Sequence, residues 1–231
     1  VSDYFDTRKE AEDFLEKCRT SEFSIESVEK KPAKKSPSPP FTTSTLQQEA
    51  SRKLRYSVSR TMLVAQKLYE AGKITYMRTD SVNLSDFALG AAEKQIKDEY
   101  GKQYFHKRQF KTKSKTAQEA HEAIRPTDFS KETVAGSKEE KALYELIWKR
   151  SIASQMSDAQ LERTTLKVKV SKAAELFVAK GEVIIFDGFL KVYIESFDEE
   201  NGENGDSGIL PDISEGQKIS FNEILATQRF T

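Results

Sequence analysis

The 231 residues contain one cysteine, one tryptophan and two histidines. A lone thiol, Cys18, excludes an internal disulfide and fits a reducing compartment, so a cytoplasmic, nucleoid-associated location is expected. Zinc ribbons of the four-cysteine kind are excluded, and a structural zinc site is not expected from so few thiols and imidazoles. Long apolar runs are missing too. Val183-Ile184-Ile185-Phe186 falls far short of the ~20 residues that cross a bilayer, so no membrane partner is expected. No signal-peptide pattern opens the chain. The start at Val1 and the end at Gln228-Arg229-Phe230-Thr231, straight after a strand-like run, read as an excised piece of a larger protein.

Net charge is absent overall, with 37 basic and 37 acidic residues, but it is unevenly spread. Residues 41–157 hold 21 basic against 14 acidic residues, a net of +7, while the segments before and after carry −1 and −6. A basic body between acidic flanks points to a polyanionic partner for the body. Hydrophobic content of 37% and charged content of 32% describe a soluble globular protein with a modest core.

Periodicity divides the chain. Residues 7–19 predict a helix with Ala11, Phe14, Leu15 and Cys18 on one face, and residues 22–30 a strand. The segment KPAKKSPSPP at 31–40 reads as a linker without regular structure. Ser44 or Thr45 is positioned to cap a helix over 46–54, and Ser59 another over 60–71 that closes at Gly72. Two short helices and a following short strand have the layout of a helix-turn-helix with a wing. Arg52, Lys53, Arg55 and Arg60 crowd that turn with no acid among them, which favours phosphate contacts over a merely solvated helix face. Ser85 caps a helix to about Glu99. Residues 102–115 mix Lys107, Arg108 and four further lysines with Tyr104, Phe105 and Phe110. That mixture suits single-stranded nucleic acid, or a basic loop pinned by its rings. If 118–125 is helical, His121 and Arg125 share a face at i, i+4. Ser137 caps a long core helix to about Met156. From Asp158 the period becomes two, with strands over 164–170, 176–180, 183–186, 190–194 and 218–225 and a tight turn at Asp187-Gly188.

The fold class expected is α+β. A mainly helical domain (40–157) with a helix-turn-helix-like part is inserted into a discontinuous antiparallel β-rich domain (1–39 and 158–231).

The stretch Ile74-Thr75-Tyr76-Met77-Arg78 carries the chemistry. In an extended segment Tyr76 and Arg78 point the same way and Met77 the other. A phenol has a free pKa of about 10 and needs help to attack at neutral pH. A neighbouring guanidinium favours the phenolate and neutralises charge on a phosphodiester transition state. A phenolate is also a good leaving group, so a phosphotyrosyl ester can be resealed. Tyr76 and Arg78 are thus candidates for catalysis, with His121 and Arg125 as further phosphate contacts. Competing readings are a plain DNA-binding module of helix-turn-helix type and a tyrosine recombinase or type IB enzyme. In the latter the nucleophile usually follows the Arg/His cluster, whereas Tyr76 precedes His121.

Three strings weigh against those alternatives: Phe41-Thr42-Thr43-Ser44-Thr45-Leu46-Gln47-Gln48, Leu68 through Ser81 (LYEAGKITYMRTDS), and Ala120-His121-Glu122-Ala123-Ile124-Arg125-Pro126-Thr127. Together they resemble bacterial type IA DNA topoisomerase I over at least 41–157. The Phe186-Asp187-Gly188-Phe189 turn also looks like that family. The resemblance implies an ATP-independent isomerase in which Tyr76 cuts one DNA strand and holds the 5′-phosphate. Arg78 would stabilise the scissile phosphate and His121 help to place it. It further implies a monomer that acts on single-stranded or underwound DNA, and a β-rich arch as part of a toroidal enzyme. Departures matter. No Asp-x-Asp cluster follows a strand, so the Mg²⁺-holding Toprim domain of the family is missing. No cofactor is expected in this piece, and alone it is expected to bind DNA weakly and not to relax supercoils.

Overall fold

The structure, a computed structural model, describes residues 5–110, 122–194 and 213–226. Helices α1 (Arg8–Arg19), α2 (Thr43–Leu54), α3 (Val58–Glu70), α4 (Asp86–Glu99) and α5 (Lys138–Ser154) accompany strands β1 (Phe23–Lys35), β2 (Ala159–Val170), β3 (Leu176–Phe186) and β4 (Lys218–Ile219). The strands form one antiparallel sheet in the order β3-β2-β1-β4, with Phe23 opposite Ile219 and Ser24 opposite Lys218. The fold is α+β, as the change of period at Asp158 predicts.

Two compact units share the chain. One comprises the described residues of Val1–Ala33, Leu161–Ile185 and Gly202–Thr231; the other comprises those of Lys34–Gln160 and Phe186–Asn201. In the first, Phe14 and Cys18 of α1 pack with Phe23, Ile25, Val168 and Val170 of the sheet. Burial, reinforced by nearby Glu175, pushes the Cys18 thiol up, which leaves it an inert apolar side chain. The second unit is built on α2, α3, α4 and α5. Leu143, Leu146, Ile147, Trp148 and Ile152 of α5 are all buried in its core, together with Val64 and Leu68 of α3. The ring ends of α5 are satisfied: Trp148 Nε1 donates to Phe129 O at 2.9 Å, and the Tyr144 hydroxyl to Lys131 O at 2.7 Å.

Several local expectations need correction. β1 continues through Pro32 to Lys35, inside the supposed linker. Among the described residues β4 faces β1 at Phe23 and Ser24, so none of them calls for an N–H from Pro32 on that side and an extended proline is tolerated. The predicted strands 176–180 and 183–186 are one strand, since Gly181 is buried within β3 and does not interrupt it. Asp187-Gly188 is not a hairpin turn. Gly188–Lys191 is a short 3-10 helix that carries Phe189 and Tyr193 into the helical core, so no strand forms over 190–194. Gly188 has φ +50, and a Cβ there would lie 2.5 Å from the carbonyl oxygens of both Ser157 and Asp158. Only glycine fits that approach. The strand expected over 218–225 shrinks to Lys218–Ile219.

Candidate active site

The two helices ahead of Tyr76 begin two to three residues earlier than the sequence implies. Thr42, not Ser44 or Thr45, caps α2, and Thr45 completes the capping box from the third helical position. Ser57, not Ser59, caps α3. Arg55 turns the chain between them in the left-handed region, at φ 59. α3 ends in a Schellman motif. Gly72, at φ +67, donates to Tyr69 O at 2.8 Å and Lys73 donates to Leu68 O at 2.8 Å. No wing strand follows; Ile74 makes a single antiparallel bridge with Pro126.

From there burial alternates. Ile74, Met77, Thr79 and Ser81 are buried, while Tyr76, Arg78 and Asp80 are exposed. Burying Ile74 and Met77 contributes roughly 1.5–3 kcal/mol each. Those two side chains point Tyr76 and Arg78 outward, as expected for positions two apart. Tyr76 is 42% exposed. Among the described residues none makes a hydrogen bond or ion pair with the Arg78 side chain.

Backbone groups of this irregular segment are satisfied by two threonines. Thr75 N donates to Arg125 O at 2.9 Å, and the Thr75 hydroxyl donates to Ala123 O at 2.7 Å while accepting from Arg125 N at 2.9 Å. On the other side the Thr43 hydroxyl donates to Met77 O at 2.8 Å and accepts from Thr79 N at 2.9 Å. Thr43 N donates to Thr79 O at 2.9 Å. The knot closes through Ile124 N to Phe41 O and Ala123 N to Asn83 O, both 2.8 Å. The described parts of the three strings that carry the family resemblance are therefore tied into one hydrogen-bonded unit around Tyr76. Sequence reasoning had Thr43 only beside a cap and gave Thr75 no role; their place one residue before a helix turn and one before the tyrosine was the available signal.

The other predicted site residues divide. His121 lies outside the described residues. Residues 122–126 are extended, with bridges at Ile124 and Pro126, so the helical i, i+4 relation expected for Arg125 does not hold at its end. Arg125 is 8% exposed, and its guanidinium donates to Glu122 Oε2 at 2.6 Å and to Pro126 O at 2.9 Å. It is a buried staple, not an exposed phosphate contact, because Pro126 turns the chain inward beside Ile74. Glu122 also accepts from Ser85 N, the cap of α4, at 2.6 Å. Burial pushes the Glu122 carboxyl up, but the hydrogen bonds from Arg125 and Ser85 outweigh it and hold it below the usual carboxylate range.

Arg108 is also interior: its side chain is 14% exposed, pairs with Asp158 at 2.5 Å and reaches the carbonyl of Met156. Burial lowers its pKa, with Asp158 opposing. The expected DNA contact at Arg108 is thus a clasp between residue 108 and the start of β2. Lys107 stays out, its side chain 56% exposed, and among the described residues its one ion pair is with Asp86 at 3.8 Å. Lys53 lies 3.5 Å from Glu49, 4.1 Å over the Tyr193 ring and against Ile194 O. Arg52 is 3.9 Å from Glu49. Arg60 pairs with Glu139 of α5 and sits 4.8 Å over the Tyr56 ring. Glu49, one turn earlier on α2, and Glu139 of α5 therefore partner three of the four cations of the basic turn.

A family model described as DNA topoisomerase matches residues 1–231. The chain belongs to the DNA topoisomerase family. It is 46% identical to DNA topoisomerase 1 of Zymomonas mobilis subsp. mobilis over 229 residues, covering 97% of this chain and 19% of that protein. It is 45% identical to the prokaryotic-type DNA topoisomerase 1 of Acanthamoeba polyphaga mimivirus, covering 94% and 27%. Among solved structures, full-length topoisomerase I from Thermotoga maritima is similar with a TM-score of 0.75 and 35% identity, over 95% of this chain and 36% of that one. The chain thus spans about a fifth to a third of the proteins it matches.

Among the described residues no group of three or more His, Cys, Asp or Glu side chains is placed to hold a metal ion. The Mg²⁺ implied by the family resemblance finds no such donor set among the described residues. Among the described residues, no helix is long and apolar enough to cross a membrane.

Proposed function

We propose that this chain is the tyrosine-bearing part of a type IA DNA topoisomerase, and that Tyr76 cuts and reseals one DNA strand. The Tyr76 oxygen forms a bond to the phosphorus and loses its proton. The bond from phosphorus to the 3′-oxygen breaks, and that oxygen leaves with the electron pair and takes up a proton. The 5′-phosphate stays on Tyr76, and reversal restores the strand without an external energy source. Arg78 neutralises charge on the non-bridging oxygens. His121 is assigned a phosphate-placing role by family resemblance alone.

The observation that carries this reading is the exposed Tyr76–Arg78 pair on a segment whose backbone is fixed on both sides by Thr43 and Thr75. A nucleophile on a pre-set backbone needs little reorganisation in the transition state. The partner is single-stranded or underwound DNA, met by the net-positive body, with Lys107 as an exposed contact. In the full-length protein the outcome would be relaxation of negative supercoils by a monomer in the cytoplasm. The parts of the relatives outside this chain would supply Mg²⁺ on a Toprim domain.

The test is plasmid relaxation and oligonucleotide cleavage by the full-length protein with Tyr76→Phe. Loss of both with retained DNA binding is expected. Cleavage by the variant at the parental rate would refute the assignment, as would robust Mg²⁺-dependent relaxation by the 231-residue piece refute its dependence on the rest of the protein.

A further inference from the structure

Tyr69 is the second exposed ring at this site. It lies in the last turn of α3, 42% exposed, with its ring centroid 5.2 Å from that of Tyr76 and the planes at 64°. This edge-to-face arrangement is the preferred geometry for two aromatic rings. The position is set by backbone. The Tyr69 carbonyl accepts from Gly72 N in the Schellman turn, and Ile74, two residues before Tyr76, is buried. Helix end and loop thus set the two backbones from which the rings meet.

We infer that Tyr69 is a positioning residue for the nucleophile: its ring holds the Tyr76 ring in the orientation from which the phenol oxygen meets the phosphate. Among the described residues Tyr69 makes the one ring contact to the exposed Tyr76, so without it the Tyr76 side chain is free to take other staggered rotamers. An aromatic contact of this kind is strong enough to shift such a rotamer equilibrium about three- to tenfold. The ring, not the hydroxyl, makes the contact. A base-stacking platform for DNA is the other use of an exposed tyrosine, but here the ring is already engaged by Tyr76. The inference rests on Tyr76 being the nucleophile.

The experiment uses the full-length protein with Tyr69→Ala, Tyr69→Leu and Tyr69→Phe, on a single-stranded oligonucleotide. Single-turnover cleavage at saturating enzyme and the dissociation constant for DNA are measured separately. Tyr69→Ala and Tyr69→Leu are expected to slow cleavage three- to tenfold with the dissociation constant unchanged, and Tyr69→Phe to stay within twofold of the parent. Leucine keeps apolar bulk on the helix end, so it reports even if the alanine variant folds poorly. Unchanged cleavage in the leucine variant would overturn the inference. So would weakened DNA binding with an unchanged rate for bound DNA, or a phenylalanine variant as slow as leucine. Tyr76→Phe run alongside separates the two claims. If it abolishes the covalent adduct while Tyr69→Leu is silent, only the positioning role fails; if it does not, the nucleophile assignment itself fails.

Discussion

Replacing Thr43 by valine keeps the side-chain shape and deletes one oxygen. That oxygen accepts from Thr79 N at 2.9 Å and donates to Met77 O at 2.8 Å. The substitution leaves both backbone groups, on residues that are themselves buried, without this partner. An unpaired buried polar group costs about 1–3 kcal/mol. The Thr79 carbonyl is spared because Thr43 N still donates to it. Capping is also spared, since Thr42 is the cap of α2, and threonine and valine differ little in helix propensity. The sum over the two groups is a loss of about 2–6 kcal/mol. Urea unfolding followed by the fluorescence of Trp148, the one tryptophan and buried in the same core, reads it as a lower midpoint at constant slope. Thr43→Ser restores the oxygen and should recover most of the loss. A valine variant within 0.5 kcal/mol of the parent, or a serine variant as unstable as valine, would refute the reasoning that Thr43 fixes the Tyr76 segment.

Arg108→Ala removes the Asp158 pair and the bond to Met156 O, and should cost about 2 kcal/mol in the same urea assay, whereas Lys107→Ala should stay within about 0.5 kcal/mol and weaken DNA binding instead. Equal stability effects would contradict the division between clasp and contact. Glu122 has a depressed carboxyl pKa in the folded state, so its contribution is complete above the ordinary carboxylate pKa of about 4.3 and fades as pH falls through the folded value. Glu122→Gln should therefore be less stable than the parent at pH 7 and converge on it in acid; a constant gap across that window would count against the ion pair with Arg125. Gly188→Ala drives a Cβ into two carbonyl oxygens at a left-handed φ and should lower stability by about 3 kcal/mol, seen as a fall in Tm; an unchanged Tm would contradict the packing.

Elements whose pattern is set by their own side chains were legible. The stripe of α5, the caps at Ser85 and Ser137, the Gly72 helix end and the alternation of Lys167, Val168, Lys169 and Val170 all appear where the periodicity puts them. The outward Tyr76 and Arg78 were legible too, since each flanks a buried Met77. What misled were residues whose state depends on the partners the fold gives them, near or far in sequence. Arg125 and Arg108 carry charge and read as surface, but Glu122 and Asp158 let them go inside. Residues 190–194 looked like a strand because apolar residues close together satisfy either period; the helical core that takes in Tyr193 decided the matter. Thr43 and Thr75 offered only their place beside a helix cap and beside the tyrosine, because backbone carbonyls 34 and 48 residues away are invisible to local pattern.

The central claim is tested most directly by trapping the covalent adduct of the full-length protein with an oligonucleotide, digesting it with trypsin and sequencing the nucleotide-bearing peptide by mass spectrometry. The account predicts the peptide from Ile74 to Arg78, with the DNA joined through its 5′-phosphate to Tyr76. An adduct on any other residue, or a link through the 3′-phosphate, would contradict it.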